Sequence, residues 1–176
     1  MGLPGMLFAL LVGIGLTIAA VNVYNQVTSR MDEQSSIELL NIMKANVDSV
    51  YSGQSSYGSN DSLVTTLDKF GRIPDSARKD GPPVTMEHSF GHPVTIYGNG
   101  GRYSITFHKL DDAVCTNIAK AYAGRSRARS GIVLIEVATA APTTVTTAAP
   151  AVRDLGWVTS NCNQGAEANY LTFTFG

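Results

Sequence analysis

His88 and His92 stand four residues apart, the spacing that sets two imidazoles on one helix face as metal ligands. Gly91 and Pro93 flank His92, so no helix is expected there, and no third ligand follows. The two are read as exposed loop histidines. Gly98-Asn99-Gly100-Gly101 is glycine-rich, as phosphate-cradling loops are, but lacks the following Lys-Ser/Thr and the strand-to-helix setting. It is read as a hairpin turn. Arg125, Arg127 and Arg129 offer cations to phosphate, without the aromatic interleaving of a single-strand binder. The net charge of −1 also argues against a nucleic-acid partner. The arginines are read as a solvated patch or a salt-bridge surface between subunits. Asp111-Asp112 suits helix capping better than paired acid–base catalysis, and no nucleophile elbow surrounds any serine. These residues nominate no catalytic residue, no metal site and no cofactor, and the chain is not expected to be an enzyme.

Cys115 and Cys162 are the two cysteines. An even count in a protein outside the cytosol suggests one disulfide. The N-terminus points the same way. Charged residues are only 15% of the chain, against roughly 25% in an ordinary soluble domain. The deficit is concentrated: no Asp, Glu, Lys or Arg precedes Arg30.

Residues 6–21 are apolar apart from Thr17. With Leu3 and Pro4 they approach the roughly 20 residues that cross a bilayer core. The run exceeds the usual apolar region of a secretory signal and has no basic flank in front of it. The chain is therefore read as a mature product whose basic leader has been removed, so that Met1 need not be an initiator. Gly13 and Gly15 lower helix propensity in water but permit close helix approach in a membrane or bundle.

The apolar pattern continues through Val23, Tyr24, Val27, Met31, Ile37, Leu40, Ile42, Met43, Val47, Val50 and Tyr51, at spacings mostly of three and four. That is the period of an amphipathic helix, and Ser52-Gly53 supplies its stop. A continuous helix over residues 2–52 would be roughly 75 Å long. Its front half is apolar all round and its back half along one stripe. Such a helix needs a membrane or copies of itself.

Residues 54–62 read as loop, followed by a short helix through Leu63, Leu67 and Phe70, capped by Asp61 or Ser62 and ended by Gly71. Residues 73–83 read as connector. Val94, Ile96 and Tyr97 precede the glycine-rich turn, with Asn-Gly at its centre. Tyr103, Ile105 and Phe107 then alternate with Ser104, Thr106 and His108, so the two runs form a hairpin. A helix over residues 113–122 is expected, capped by Asp111 or Asp112. Residues 131–137 read as a buried strand, 138–152 as an exposed Thr/Ala/Pro loop without charge, and 169–175 as a C-terminal strand. The fold class is α+β: a long N-terminal helix packed on an antiparallel sheet.

An uncharged apolar N-terminus, a long helix, an antiparallel sheet and a late cysteine pair together resemble the type IV pilins. The type IVb branch of toxin-coregulated, bundle-forming and conjugative thin-pilus subunits is the most similar. Phe70-Gly71-Arg72-Ile73-Pro74-Asp75-Ser76-Ala77-Arg78 is similar to that branch's leucine-glycine-lysine-isoleucine stretch after the second helix. The resemblance implies residues 1–28 as membrane anchor and then filament core, and residues 29–176 as the head. It assigns core packing to Leu3, Met6, Leu7, Phe8, Leu10, Leu11, Val12, Ile14, Leu16, Ile18 and Val21, and a possible N-terminal modification to Met1. It implies a Cys115–Cys162 disulfide bordering an exposed surface. The implied partners are further copies of the chain, a prepilin peptidase and a pilus assembly machine. The implied location is the bacterial inner membrane and then an extracellular filament. Gly5 departs from the pattern. The family carries a glutamate there, thought to meet a neighbour's N-terminal amine, and Pro4 and Gly5 leave the first turn weakly helical.

Two other readings stay open. One is a single-pass anchored periplasmic binding protein or adhesin. The other, favoured by Gly5, is a minor pilin or a pseudopilin of a secretion system.

Overall fold

The computed structural model describes residues 3–124, 130–147, 149, 151 and 153–176, with the backbone alone at residues 3–20, 22 and 25. Helix α1 spans Leu3–Val50 without interruption. It already includes Pro4 and Gly5, contrary to the expected weak first turn. Proline is tolerated there because an N–H in the first turn has no helical acceptor.

The chain then forms β1 (Ser59–Ser62), α2 (Val64–Lys69), β2 (Arg78–Lys79), β3 (Thr85–Glu87), β4 (Pro93–Asn99) and β5 (Arg102–Leu110). It ends with α3 (Asp112–Lys120), β6 (Ile132–Ala138), α4 (Leu155–Asn161) and β7 (Asn169–Phe175). The described strands make one seven-stranded sheet in the order β2-β3-β4-β5-β7-β6, with β1 also paired to β4. Every pairing is antiparallel.

The expected hairpin is β4–β5, in register from Val94–Phe107 to Asn99–Arg102. Its turn lies one position later than the sequence indicates. Asn99 is still in the ladder, and Gly100-Gly101 makes the turn with φ +56° at Gly100. Gly98 has a separate reason to be glycine: a Cβ there would lie 2.1 Å from the Tyr57 carbonyl oxygen. The backbone of residues 57–58 crosses that point, through Tyr57 N–H to Gly100 O at 2.7 Å and Gly100 N–H to Gly58 O at 2.8 Å. Residues 59–62, read as loop, are thereby drawn into β1. All four are exposed, so no apolar alternation announces the strand. Helix α2 starts from Leu63 without a side-chain cap, so neither Asp61 nor Ser62 has that role. Asp61 instead accepts the Ser59 N–H.

One core lies between α1 and the sheet. Leu40, Met43 and Val47 of α1 are buried against Ile96, Tyr103, Ile105, Phe107, Leu171 and Phe173. Each such side chain contributes about 1.5–3 kcal/mol relative to exposure. Helix α3 adds Val114, Ile118 and Ala119 to the same core. The Thr/Ala/Pro loop begins one residue later than expected, since Ala138 ends β6, and its described residues beyond that have no helix or strand, but it is not wholly exposed. Val145 is buried and donates its N–H to Asn60 Oδ1 at 3.0 Å.

Cys115 of α3 and Cys162, just past α4, are bonded, with Cα atoms 5.6 Å apart. The bond closes a loop with a sequence separation of 47. On chain-entropy grounds it stabilises the fold by about 4 kcal/mol. Replacing both cysteines with serine should lower the unfolding free energy by about that amount in urea titration. A loss near zero would show that the bridge does not restrain the unfolded chain.

Candidate functional site

Helix α1 presents apolar side chains in two directions. At 3.6 residues per turn, Ser36, Leu40, Met43 and Val47 share one face. All four are buried by the head. Val27, Met31 and Ile42 fall on the opposite side, with Val23 and Tyr24 beside them. These are exposed, Met31 by 65% and Tyr24 by 70%. Val21 is exposed as well. Of the expected core-packing set it is the one residue whose side chain is described. The side chains of Leu3, Met6, Leu7, Phe8, Leu10, Leu11, Val12, Ile14, Leu16 and Ile18 lie outside the described ones, as do Met1 and the arginines at 125, 127 and 129. Among the described residues no helix is long and apolar enough to cross a membrane.

Polar contacts tie α1 to the head at successive heights. Near the base Asn117 Nδ2 donates to Glu33 Oε1 at 2.8 Å. In the middle the Tyr122 hydroxyl donates to Asn41 Oδ1 at 2.9 Å. Asn46 Nδ2 reaches the Arg72 carbonyl at 2.7 Å, which ties α1 to the stretch after α2. At the top the Tyr103 hydroxyl donates to Asp48 Oδ1 at 2.8 Å. Burial, then the bond to Asp48 and its charge, push the Tyr103 phenol far above its ordinary range. Tyr51, Tyr57, Tyr103 and Phe175 follow one another at centroid distances of 5.3, 4.9 and 5.0 Å, locking the upper end of α1 to β5 and β7. Lys44 lies over the Phe175 ring and pairs with Asp48 at 2.7 Å.

A cleft of about 650 Å³ opens where α1 leaves the head, lined by Gln26, Ser29, Arg30, Glu33, Asn117 and Lys120. An apolar hollow of about 390 Å³ beside it is formed by Val27, Arg30, Met31, Gln34 and Ser35. Both are open, shallow features suited to another surface rather than to an enclosed small molecule.

The residues singled out for chemistry have structural duties. Asp111 and Asp112 do not cap α3 with their side chains, contrary to expectation. Asp112 Oδ1 accepts from Gly165 N–H at 2.9 Å and Asn169 Nδ2 at 2.8 Å, and Asp111 Oδ1 accepts from Glu167 N–H at 2.9 Å. The bond from Asn169, then that from Gly165, hold the Asp112 carboxyl below its ordinary pKa. The pair therefore fastens the loop before β7. His88 is not an exposed loop residue: it is 3% exposed, with Nε2 2.9 Å from the His108 carbonyl. Among the described residues no group of three or more His, Cys, Asp or Glu side chains is placed to hold a metal. Helix α4 escaped the sequence reading, although Asp154 accepts the Trp157 N–H at 2.7 Å as an N-cap three residues ahead of it.

The family described as PilS N terminal matches residues 30–176, beginning at the first charged residue. A comparison with curated protein sequences finds no match. Among solved structures the chain is similar to the type IVb pilin of Salmonella typhi, at 17% identity and a TM-score of 0.56, over 78% of this chain and 95% of that one. It is also similar to TcpA, a type IV pilin of Vibrio cholerae El Tor biotype, at 14% identity and a TM-score of 0.57. That match covers 83% of this chain and 99% of TcpA.

The two faces of α1 should respond differently to truncation. Leu40→Ala, on the covered face, should lower stability by about 2–5 kcal/mol. Met31→Ala, on the open face, should stay within about 0.5 kcal/mol. Tyr103→Phe should cost about 1 kcal/mol through loss of the Asp48 bond. Chemical denaturation of the detergent-solubilised monomer checks all three, and equal losses at residues 31 and 40 would refute the two-face assignment.

Proposed function

The chain belongs to the PilS N-terminal family and has the α+β fold of the type IV pilins, and from that premise we propose that it is a structural subunit of a type IVb pilus that polymerises through α1. The observation that carries this reading is the second apolar stripe of α1. Val27 and Met31 are exposed opposite the buried stripe, Ile42 is exposed at the edge of a hollow that it shares with Pro74 and Ala77 of the head, and the stripe runs into a segment without charge before Arg30. A soluble monomer gains nothing from such a face, whereas a helical polymer buries it. Each of these side chains contributes about 1.5–3 kcal/mol on full burial, before the cost of ordering the partners.

Residues 1–28 serve first as inner-membrane anchor and then as filament core, and residues 29–176 form the head that coats the filament. A prepilin peptidase removes a basic leader, and an assembly machine draws the subunit from the membrane into an extracellular filament. The apolar length of residues 6–21 supports the membrane stage. The role is structural rather than catalytic. The pilus serves adhesion or conjugative mating, with the Cys115–Cys162 region and the uncharged 138–152 loop offered outward. Gly5 favours one second reading, a minor pilin, because it removes the carboxylate that the family places at that position.

Deleting residues 1–28 should yield a soluble monomer that forms no filaments in sedimentation and electron microscopy. Filaments from that truncate would refute the role of the helix. Met31→Ser combined with Tyr24→Ser should leave the monomer folded and reduce sheared surface filaments by at least about tenfold, in line with lost burial of about 3 kcal/mol. If the sheared fraction from the unaltered strain held the chain only as a rare component of filaments built from another subunit, the minor-pilin reading would replace the major one.

A further inference from the structure

Of the three histidines of the chain, His88 and His92 lie together in the turn beside α1, and the His88 ring bonds the backbone of His108, whose own ring contacts Thr95 and Tyr170. His88 opens the tight turn between β3 and β4. Its N–H bonds the His92 carbonyl at 3.0 Å, and its carbonyl accepts the Gly91 N–H at 2.8 Å. Its ring packs against Phe90 and Phe107, with centroids 5.8 Å from each, and is 6.0 Å from the ring of His92. The hydrogen bonds define its protonation. The His108 carbonyl can only accept, so His88 Nε2 carries the hydrogen and donates at 2.9 Å. Nδ1 accepts the Phe90 N–H at 3.3 Å. The ring is therefore neutral, and a second proton on Nδ1 abolishes the bond to Phe90.

The residue inside this turn holds α1. Ser89 Oγ donates to the Asp32 carbonyl at 2.6 Å and lies 3.0 Å from Ser36 Oγ. Ser36 is fully buried by the contact. The titratable and charged neighbours come from four sides. Burial holds the His88 pKa below its ordinary value, opposed by the hydrogen bond to the His108 carbonyl, while the charge of His92 lowers it further and that of Glu87 of β3 raises it. His108 and Lys109 belong to β5, and burial, His88 and Lys109 hold the His108 ring at a pKa of about 4. Glu167 of the loop before β7 lies 3.7 Å from His92 Nε2. Lys109, Asp111 and Glu167 line a hollow of about 160 Å³ with Phe90, His92 and Leu110. From α1, Asp32 contributes its carbonyl.

We propose that the 88–92 turn is an acid-released clasp: a proton on His88 opens the turn, Ser89 leaves Asp32 and Ser36, and α1 gains freedom to bend where it emerges from the head. The clasp belongs to the single subunit and stands whether or not the chain polymerises. Its direction follows from linkage. The closed form binds a proton on His88 less readily than the open form, in which the ring is solvated and titrates near the ordinary value of about 6.5, whereas the His108 ring stays held in the sheet by Thr95 and Tyr170. The clasp is complete above about pH 6.5 and weakens as the pH falls below it. The ceiling is about tenfold in the open-to-closed ratio per pH unit for this one histidine.

Hydrogen exchange on the full chain in detergent micelles tests this, with rates expressed as protection factors to remove the intrinsic effect of pH. Protection over residues 32–40 should fall about tenfold or more from pH 7.5 to 5.0, while residues 43–50 hold theirs. His88→Gln keeps a donor toward the His108 carbonyl and cannot titrate, so its protection should not depend on pH. Ser89→Ala should show low protection over 32–40 at both pH values. Unchanged protection in the unaltered chain, or a persistent fall in His88→Gln, overturns the proposal. If His88→Gln does not fold, the imidazole titration of His88 by NMR decides: a midpoint at or above 6.5 overturns it, and one below 6.5 that tracks the loss of protection supports it.

Discussion

Helix α1 bears more apolar surface than one head can cover, and the rest of the molecule is arranged around that excess. The inward stripe of Leu40, Met43 and Val47 is buried completely, which fixes the rotation of the helix about its axis. Glu33, Asn41 and Asp48 then fix its height through single hydrogen bonds to α3, to Tyr122 just past it, and to β5. With rotation and height both set, the direction of Val27, Met31 and Ile42 is no longer free. The outward face is thus a consequence of the inward packing. A change in the core that rotated α1 would re-aim the assembly surface without touching it.

The C-terminal half solves a different difficulty. Strand β7 is the last element in the chain, yet it lies between β5 and β6. Its pairing joins Tyr103 to Phe175, so the sheet is completed only when the C-terminus arrives. Non-local pairing of this kind carries a high loop-closure cost in folding. The restraints concentrate on that closure. Cys115–Cys162 ties α3 to the end of α4, and Asp111, Asp112 and Asn169 fasten the loop that delivers β7. The two aspartates therefore do more for β7 than for the helix they begin.

The elements with strong periodicity were legible in the sequence: α1, the β4–β5 hairpin, α3, β6 and β7. Their apolar residues follow an alternating or helical spacing, or in β6 an unbroken apolar run, that one chain segment states by itself. The elements that escaped, β1, β2, β3 and α4, are short. Strand β1 is wholly exposed and exists because Gly98 lets residues 57–58 pass close to the hairpin, a fact about two distant segments at once. Asp111 and Asp112 were misassigned for a related reason. An aspartate before a helix has a default local acceptor role, and only the fold reveals that residues 165–169 compete for it. His88 looked exposed because Gly91 and Pro93 signal a turn. The turn is real, but its first side chain points into the core against Phe107. Of the candidate site, the existence of an apolar helix face was readable, whereas the division into covered and open stripes required the position of the head.

Apolar burial has little directional preference, which gives Gly5 a consequence for how copies align. A helix with no charge before Arg30 is attracted to its copies over a range of axial offsets, because sliding one apolar surface along another changes the buried area only gradually. A buried carboxylate would select one offset, since leaving it unpaired in an apolar core is costly. Without one, register among copies of this chain must come from groups with fixed geometry. Among the first charged groups along α1, Arg30 and Glu33 share a cleft with Lys120 at the base of the head. The helix segment there is also the one held by Ser89, so its angle to the head sets which offset brings cleft and neighbour together. If copies of the chain pack through residues 1–28 as proposed, selection of register would fall to the junction of helix and head.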